Sequence, residues 1–391
     1  MKYLDKHVLI LISGSEVVTN LAPTGGIFQL NQAKILSTIY KKVGLLSSGF
    51  LAFPNEFRNS KHKKEEFQKR LTIFRDYKKL YVPKKLFPVK LLSKLYIKIA
   101  LNQFEWYISN HGKPDIIHAH NIIYSGLVAQ KIKEKYNIPY VITEHSSIYM
   151  RGHHKKYLSL INKEVVFNFN LFAVSDKSSE VLKKTFDLSY VDVINNVLSS
   201  TFLEPSKFKK NKETFKFINI GNLTNNKNQK LIINSFLKAF KPSDKVMLIL
   251  VGKGPKKKKL DELVQRSGRT HQFEFYNYLK QDEIKGLLLS CDCFVLSSNF
   301  ETFGVVIIEA MACGLPVIST KCFGPEDILN QNQWGVLVDK NNIEQMVKAL
   351  RDSKSEKQQV REQISYYARD KYGHDSFIKK IASVYNTFWD E

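Results

Sequence analysis

Cysteine is scarce in this sequence, and its four cysteines crowd into one stretch of the C-terminal half: Cys291, Cys293, Cys313 and Cys322. A single residue separates Cys291 from Cys293, which is poor spacing for zinc ligands, and no nearby Cys or His pair completes a site. All four fall at predicted strand or helix positions. The pattern therefore predicts buried free thiols and favours a reducing, cytoplasmic location.

Long apolar runs are also missing. No run approaches the ~20 residues that a membrane-spanning helix needs. The first apolar segment, residues 8–12, follows Asp5 and Lys6 and is too short for the core of a signal peptide, so it is predicted to be a buried strand. With 43% hydrophobic and 25% charged residues, the 391-residue chain has the composition of a globular protein and the length for two domains.

Acidic residues are heavily outnumbered: 37 Asp and Glu stand against 60 Lys and Arg, a formal net charge of +23. Such an excess implies an acidic partner, which could be nucleic acid, anionic lipid or a phosphorylated substrate. Nucleic acid has the least support, because the chain carries no RNA- or DNA-binding motif and no strand-borne aromatic platform among its lysines.

One basic segment, residues 88–108, is predicted to form an amphipathic helix. Lys90, Lys94 and Lys98 recur every four residues and so share one stripe. The apolar area of the helix is supplied by Leu91, Leu92, Leu95, Ile99, Phe104, Trp106 and Tyr107. This pattern fits a helix lying on an anionic membrane surface, and it also fits a surface helix whose lysines are solvated.

Short apolar runs alternate with helical patterns along both halves of the chain. The predicted strands are residues 8–13, 42–48, 116–119, 140–144, 171–174 and 191–194, then 216–220, 245–251, 273–276, 293–296, 317–320 and 335–338. Strands that alternate with helices indicate parallel sheets with crossover helices, so each half is predicted to be an α/β domain.

Two carboxylates in the segment 301–309 (ETFGVVIIE) are the strongest functional signal. Glu301 follows a predicted strand, at the edge where open α/β sheets bind ligands. If a helix starts near Thr302, Glu309 lies roughly 12 Å further along its axis. That separation suits a nucleotide sugar, with one carboxylate for the sugar, one for the ribose, and the diphosphate on the free amides between them. An ordinary helix with an acid in its first turn also fits.

The motifs occur in an order that resembles the family-4 glycosyltransferases, which are retaining enzymes of the GT-B fold. The segment 301–309 resembles their E-x7-E region. Further segments with counterparts in the family are residues 25–26, 118–120, 138–145, 220–229, 250–255, 314–316, 324–327 and 335–338. The resemblance implies an α/β fold of two Rossmann-like domains that face each other across a cleft. It implies domains at residues 1–200 and 201–374, and a final helix in 375–391 that crosses back to the first domain.

The resemblance also implies roles for individual residues. His145, Lys227 and Glu301 are the implied catalytic residues: Lys227 contacts the diphosphate, Glu301 hydrogen-bonds the donor sugar, and His145 faces the sugar near its reacting carbon. Glu309 is expected to bind the ribose. The implied donor-binding residues are Gly25, Gly26, Gly221, Asn222, Lys227, Phe303, Gly304, Val305 and Glu309.

Asn222 departs from the family pattern, because an arginine usually follows the glycine at the Gly221 position. The departure removes one cation from the expected phosphate site. His120 and Arg151 are the acceptor-binding candidates, although a single histidine is more often structural than catalytic. No Asp-x-Asp pair occurs in the sequence, and no metal or other cofactor is expected, since Lys227 and helix amides would neutralise the leaving diphosphate.

The implied activity is retaining transfer of a hexosyl or N-acetylhexosaminyl group from a nucleoside-diphosphate sugar, with UDP as the favoured nucleotide. The expected acceptor is a lipid-linked or surface-polysaccharide glycan, as for bacterial surface-polysaccharide enzymes. The expected location is cytoplasmic, peripheral to the inner face of the cell membrane. Two alternatives stay open: a nucleotide-sugar epimerase and a non-catalytic GT-B partner subunit. The second is favoured by Asn222, which replaces a cation expected at the phosphate site.

Overall fold

The chain divides into two compact units in the computed structural model, which describes residues 4–13, 26–52, 63–80, 88–153, 155, 171–205, 213–329, 334–355 and 360–390. The N-terminal unit contains Met1–Val174, Ser179–Val197 and Phe377–Glu391. The C-terminal unit contains Ser175–Ser178 and Leu198–Ser376.

The N-terminal unit is built on a sheet whose described strands follow the spatial order β3-β4-β2-β1-β5-β6-β7-β8. The strands are β1 (His7–Ser13), β2 (Lys42–Ala52), β3 (Lys63–Gln68), β4 (Leu71–Leu80), β5 (Ile116–His120), β6 (Tyr140–Glu144), β7 (Leu171–Ala173) and β8 (Asp192–Val193). Every neighbouring pair is parallel except β3 and β4. β1, β5 and β6 are buried along their whole length, because helices cover both faces of a parallel sheet.

Two hydrophobic clusters of described residues contribute to the core of this unit. Its helices are α1 (Ile27–Ile39), α2 (Val89–His111), α3 (Leu127–Tyr136) and α4 (Asp176–Phe186), with the last helix of the chain, α12 (His374–Asn386). One cluster includes residues of α2 and α3. The other includes Leu36 of α1 together with Phe377, Ile381 and Tyr385 of α12, so the end of the chain completes the core of its first unit.

The C-terminal unit has six described parallel strands in the order β11-β10-β9-β12-β13-β14. They are β9 (Phe215–Ile220), β10 (Val246–Val251), β11 (Phe273–Tyr276), β12 (Cys293–Leu296), β13 (Val317–Thr320) and β14 (Gly335–Val338). Numbered within the unit, the order is 3-2-1-4-5-6, that of a Rossmann fold. Its direction reverses between β9 and β12, and ligands of such sheets bind outside the carboxyl ends of strands at that point.

Seven described helices belong to this unit: α5 (Gln229–Ala239), α6 (Lys257–Arg266), α7 (Gln281–Leu289), α8 (Val305–Ala312), α9 (Gly324–Leu329), α10 (Ile343–Ser355) and α11 (Arg361–Tyr372). α8 starts later than predicted, at Val305 rather than near Thr302, because Gly304 has the left-handed φ of 106° and interrupts the helix before its first turn. The separation of 12 Å that assumed a continuous helix from Thr302 therefore does not apply.

All four cysteines are free and buried, as their positions predict. In the described part of the chain, no helix is both long enough and apolar enough to cross a membrane.

The helix α2 corrects one part of the sequence analysis. Phe104 and Tyr107 are fully buried in the core, and Trp106 stacks on Phe74 with 4.1 Å between ring centroids. These aromatic residues therefore stabilise the unit, and only the partly buried Trp106 retains any exposed apolar area. The exposed apolar residues of α2 are Leu91 (45%) and Leu95 (36%), beside the exposed Lys90, Lys94 and Lys98.

Candidate functional site

Lys227 and Glu301 meet at the point where the strand order of the C-terminal unit reverses. Lys227 lies in the loop after β9 and Glu301 in the loop after β12. The Lys227 ammonium donates to Glu301 Oε1, and Ser298 Oγ donates to the same oxygen at 2.6 Å. The Glu301 backbone is fixed on both sides, because its N–H donates to the Cys322 carbonyl and its carbonyl accepts from Gly324 N, both at 2.9 Å. The pair is thus held in place, with the side chains 21% and 15% exposed.

Glycines allow the loops around Lys227 to approach one another. The side chain of Lys227 passes over Gly221, so that a Cβ there would lie 3.5 Å from Lys227 Cδ and Cε. After β10, a Cβ on Gly252 would lie 2.0 Å from the Gly221 carbonyl oxygen, and one on Gly254 would lie 2.3 Å from the Leu223 oxygen. Both glycines are therefore required by close approach of backbone to backbone.

Glu309 lies on α8 and is 9% exposed. Among the described residues, its carboxylate has no hydrogen-bond partner. Burial raises the pKa of Glu309 to about 8, since the charged form loses its hydration. Glu309 is thus a buried acid that is mostly protonated at neutral pH until a ligand supplies hydrogen bonds.

The N-terminus of α8 provides backbone donors beside Glu301. Gly304 precedes the helix and Val305 is its first residue, and the first N–H groups of a helix have no acceptor within the helix. The Phe303 side chain is buried and packs edge-on against Tyr372, with 5.6 Å between centroids, so only its backbone is available to a ligand.

The neighbours of this site include one cation that the sequence did not indicate. Asn222 is exposed, and its backbone carbonyl accepts from Gln229 Nε2 at 3.3 Å. Its amide side chain is uncharged, so it does not replace the arginine that is usual at this position. Lys340 follows β14; its ammonium lies 5.1 Å from the Phe300 ring centroid and donates to the Asn299 carbonyl at 3.2 Å. No sequence motif marks Lys340, because it reaches the loop only through the folding of the sheet, whereas Ser298 lies in the same loop as Glu301, three positions before it.

Three buried histidines form a stacked row at the carboxyl ends of β5 and β6. The rings of His118 and His120 stack at 4.6 Å, and those of His120 and His145 at 4.9 Å. His120 Nδ1 and His145 Nε2 share a hydrogen bond of 2.7 Å. At the other end of the row, His118 is bonded to Tyr385 and Thr143, both at 2.8 Å. The row thus links α12 to His145.

Burial keeps this row uncharged. It lowers the pKa of both His118 and His145 to about 3, and it lowers that of His120 well below the usual value. Among the described residues, His145 Nδ1 and His120 Nε2 are buried without a hydrogen-bond partner. His120 thus holds His145 at Nε2, and the Asn196 side chain also lies within hydrogen-bonding reach of the His145 ring, a geometry that favours a positioning role for His120.

The backbone beside the row is fixed by two polar side chains. His145 N donates to Asn121 Oδ1 at 2.8 Å. The Glu144 carboxylate accepts from Ile122 N at 2.8 Å and Ser146 N at 2.7 Å, and burial raises the pKa of this acid to about 7. The peptide that carries His145 is thereby held on both sides.

Three predicted residues remain: Gly26, Gly25 and Arg151. Gly26 has a left-handed φ of 67° immediately before α1, and Phe28 of that helix packs against the His145 ring at 5.3 Å. Gly25 lies outside the described residues. Arg151 is half-buried in a turn in which its N–H donates to the Ser147 carbonyl at 3.1 Å. Roles in binding an acceptor stay predictions for Arg151 and for His120.

Two Rossmann-type units of this kind define the GT-B class of α/β proteins. Residues 201–371 match the family described as glycosyl transferases group 1, and residues 58–199 match glycosyltransferase family 4. The chain therefore belongs to the family-4 glycosyltransferases of the GT-B fold.

Known proteins similar to this chain agree with that assignment. A glycosyltransferase of Methanocaldococcus jannaschii is 31% identical over 249 residues, which cover 62% of this chain and 54% of that protein. The lipopolysaccharide core biosynthesis glycosyltransferase LpsE of Rhizobium meliloti is 33% identical over 105 residues, 27% of this chain and 30% of LpsE. The chain covers only 62%, 54% and 34% of the length of three of the curated relatives it matches.

Solved structures share the fold at low sequence identity. A sucrose-phosphate synthase from Thermosynechococcus elongatus has a TM-score of 0.76 at 15% identity, covering 98% of this chain and 99% of that one. HepE from Anabaena, crystallised with UDP and glucose, has a TM-score of 0.69 at 18% identity, covering 97% of this chain and 99% of HepE.

Proposed function

We propose that this chain is a retaining glycosyltransferase that moves a hexosyl or N-acetylhexosaminyl group from a nucleoside-diphosphate sugar to a glycan or lipid-linked acceptor. The observation that carries the proposal is the Lys227–Glu301 pair beside the N-terminus of α8, at the reversal point of a Rossmann sheet. The favoured nucleotide is UDP, in line with the UDP bound to the structurally similar HepE.

Donor binding divides among three kinds of group. Lys227 and the first amides of α8 meet the diphosphate, since a cation and a helix N-terminus both stabilise phosphate oxygens. Glu301, already oriented by Ser298 and by its backbone bonds, accepts hydrogen bonds from hydroxyls of the sugar. Glu309 accepts from the ribose hydroxyls, which provide the hydrogen bonds that its buried carboxylate lacks.

In the transfer step, the bond between the anomeric carbon and the diphosphate oxygen breaks while the acceptor oxygen bonds to the same face of that carbon. The acceptor proton moves to the departing phosphate oxygen, so no protein carboxylate has to act as a nucleophile. Lys227 and the α8 amides stabilise the negative charge that develops on the diphosphate, and this preorganised field is the main source of rate acceleration. His145, neutral and oriented by His120, contacts the sugar through Nδ1. No metal ion is required in this scheme.

The acceptor is proposed to lie at an anionic membrane surface, as a lipid-linked or surface-polysaccharide precursor. The name of the relative LpsE supports a polysaccharide acceptor. The exposed face of α2 supports the membrane, because Lys90, Lys94 and Lys98 flank the exposed Leu91 and Leu95. Each lysine close to an anionic bilayer contributes about 1 kcal/mol, so this face gives weak, reversible binding.

The test is a panel of nucleoside-diphosphate sugars incubated with the protein, with and without EDTA, while release of the nucleotide is measured. We expect slow hydrolysis of one or two UDP-sugars that EDTA does not change. An acceptor fraction from bacterial membranes should raise the rate of UDP release. If the protein neither binds nor hydrolyses any member of the panel, the proposal fails and a non-catalytic role replaces it.

A further inference from the structure

A cavity of about 430 Å³ opens at the amino ends of β1, β2 and β4 in the N-terminal unit. Its lining residues are Asp5, His7, Lys41, Lys42, Lys69, Arg70 and Thr72. His120 and His145 lie at the opposite, carboxyl edge of the same sheet. The seven residues of β1 alone separate the two edges by roughly 20 Å, so the cavity is not part of the site described above.

The lining of this cavity carries an excess of positive charge. It contains four cations, Lys41, Lys42, Lys69 and Arg70, and one acid, Asp5. Within the described part of the chain, none of the four cations forms an ion pair. Asp115, which is not part of the lining, pairs with Lys6 at 3.6 Å and accepts the His7 N–H at 2.7 Å, so it pairs with none of the four cations.

Lys42 shows that the excess charge extends into the wall of the cavity. Its side chain is partly buried, and its ammonium donates to the carbonyl of His111 at the C-terminus of α2, where the helix dipole offsets part of the charge but supplies no full negative charge. Burial first, and then the charge of Lys42, lowers the pKa of His7 to about 4. An anion in the cavity would place a full negative charge beside Lys42, which the end of α2 compensates only in part.

We propose that this cavity is a second anion-binding site, which takes a ligand with at least two phosphate charges. A cavity of this size is larger than one phosphate group needs, and four cations exceed the charge of a single monoester. Thr72 adds a hydroxyl donor beside the cations. The phosphate could belong to a dissolved diphosphate compound or to a lipid headgroup. The inference does not depend on the proposed glycosyl transfer.

The experiment compares two double variants made in the Lys227→Ala background, which removes the expected phosphate contact at the other site. Lys41→Gln with Arg70→Gln changes two exposed cations of the cavity. Lys258→Gln with Lys259→Gln removes the same charge from exposed positions on α6 of the C-terminal unit. Exposed lysines and arginines contribute little to folding, so all proteins should unfold at the same temperature.

Calorimetry with inorganic pyrophosphate at low salt is the first arm, and sedimentation with vesicles containing phosphatidic acid is the second. We expect the cavity variant to bind pyrophosphate about tenfold more weakly than its parent, through loss of charge-assisted hydrogen bonds, and the α6 variant to match the parent. Unchanged pyrophosphate affinity with vesicle binding lost only in the cavity variant would assign the phosphate to a lipid. Equal behaviour of both variants in both arms would overturn the proposal.

Discussion

Glu309 shows how burial decides the charge state of a single residue. Its pKa in the folded chain is about 8, above the ordinary value of 4.5, because no described group compensates the buried charge. The folded state therefore holds this proton more tightly than the unfolded state does. The contribution of Glu309 to the free energy of unfolding is therefore fully present below about pH 4.5, and it is lost as the pH rises through 8.

Replacing Glu309 with Gln should separate its effect on folding from its effect on binding. The ligand-free variant should lose the pH dependence that Glu309 causes, which amounts to roughly 3 kcal/mol of unfolding free energy between pH 5 and 7.5. Its affinity for UDP should fall about tenfold to a hundredfold, because charged hydrogen bonds to the ribose are lost. Urea unfolding and calorimetry measure the two effects, and the exposed Glu344→Gln is the control. Equal UDP affinities would remove Glu309 from the site.

Lys227→Ala should reduce turnover by about a hundredfold to a thousandfold, because one preorganised contact to the leaving group is lost. The thermal unfolding temperature should fall modestly, since Glu301 loses its cation in a pair whose side chains are only 21% and 15% exposed. Lys230→Ala, an exposed lysine on the neighbouring α5, is the matched control and should behave as wild type. Turnover within twofold of wild type would mean that another group, such as Lys340, neutralises the diphosphate.

Two variants of His120 test whether it orients His145. The side-chain amide of His120→Asn can take the place of Nδ1 and keep the hydrogen bond to His145 Nε2, whereas His120→Leu fills similar space without it. We expect turnover to fall at least tenfold more in the Leu variant than in the Asn variant, with similar losses of stability in both. Equal turnover of the two variants would reduce His120 to a packing residue.

The sequence located the candidate residues better than it described their surroundings. Glu301 and Lys227 could be expected at one sheet edge, because each follows a predicted parallel strand. Their direct contact across 74 positions depends on the strand order, which no local pattern encodes, whereas the support from Ser298 is local, three positions before Glu301. The partner of His118 is likewise Tyr385, 267 positions away, which no local spacing could predict.

At the scale of structural elements, the loops after β9 and β10 depend on glycine. Gly252→Ala should destabilise the C-terminal unit and weaken UDP binding, because its Cβ would lie 2.0 Å from a backbone oxygen that cannot move independently. Gly286→Ala, inside α7 with no atom within 4 Å of the added Cβ, should be neutral or stabilising by up to about 1 kcal/mol. Urea unfolding measures both. A Gly252→Ala protein as stable as wild type would contradict this account.

The exposed face of α2 is also a property of a whole structural element, because membrane binding requires several residues of this helix together. Lys90, Lys94 and Lys98 changed together to Glu should abolish binding to anionic vesicles, whereas wild type should sediment with them at low salt and dissociate at 1 M, where the Debye length is ~3 Å. The matched control replaces the exposed Lys131, Lys133 and Lys135 with Glu on α3. Equal loss in both triple variants would show that only total charge matters.

At the scale of the whole molecule, the sequence predicted the fold class and all twelve of the strands it proposed, because buried parallel strands appear as short apolar runs between helices. Among the described strands, the two that it missed, β3 and β4, form an antiparallel pair at one edge of the N-terminal sheet. The sequence of β3, KKEEFQ, is mostly charged. Edge strands commonly carry charged residues, so a prediction that looks for short apolar runs does not detect them.

The return of α12 to the N-terminal unit has a consequence for the order of events during synthesis. A ribosome makes residues 198–376 of the C-terminal unit before it reaches Phe377, Ile381 and Tyr385. At 5–20 residues per second, the first unit waits roughly 10 to 40 seconds with the part of its core that α12 covers still exposed. A nascent chain in this state exposes apolar surface to chaperones, and an interrupted translation product would never acquire its last core helix.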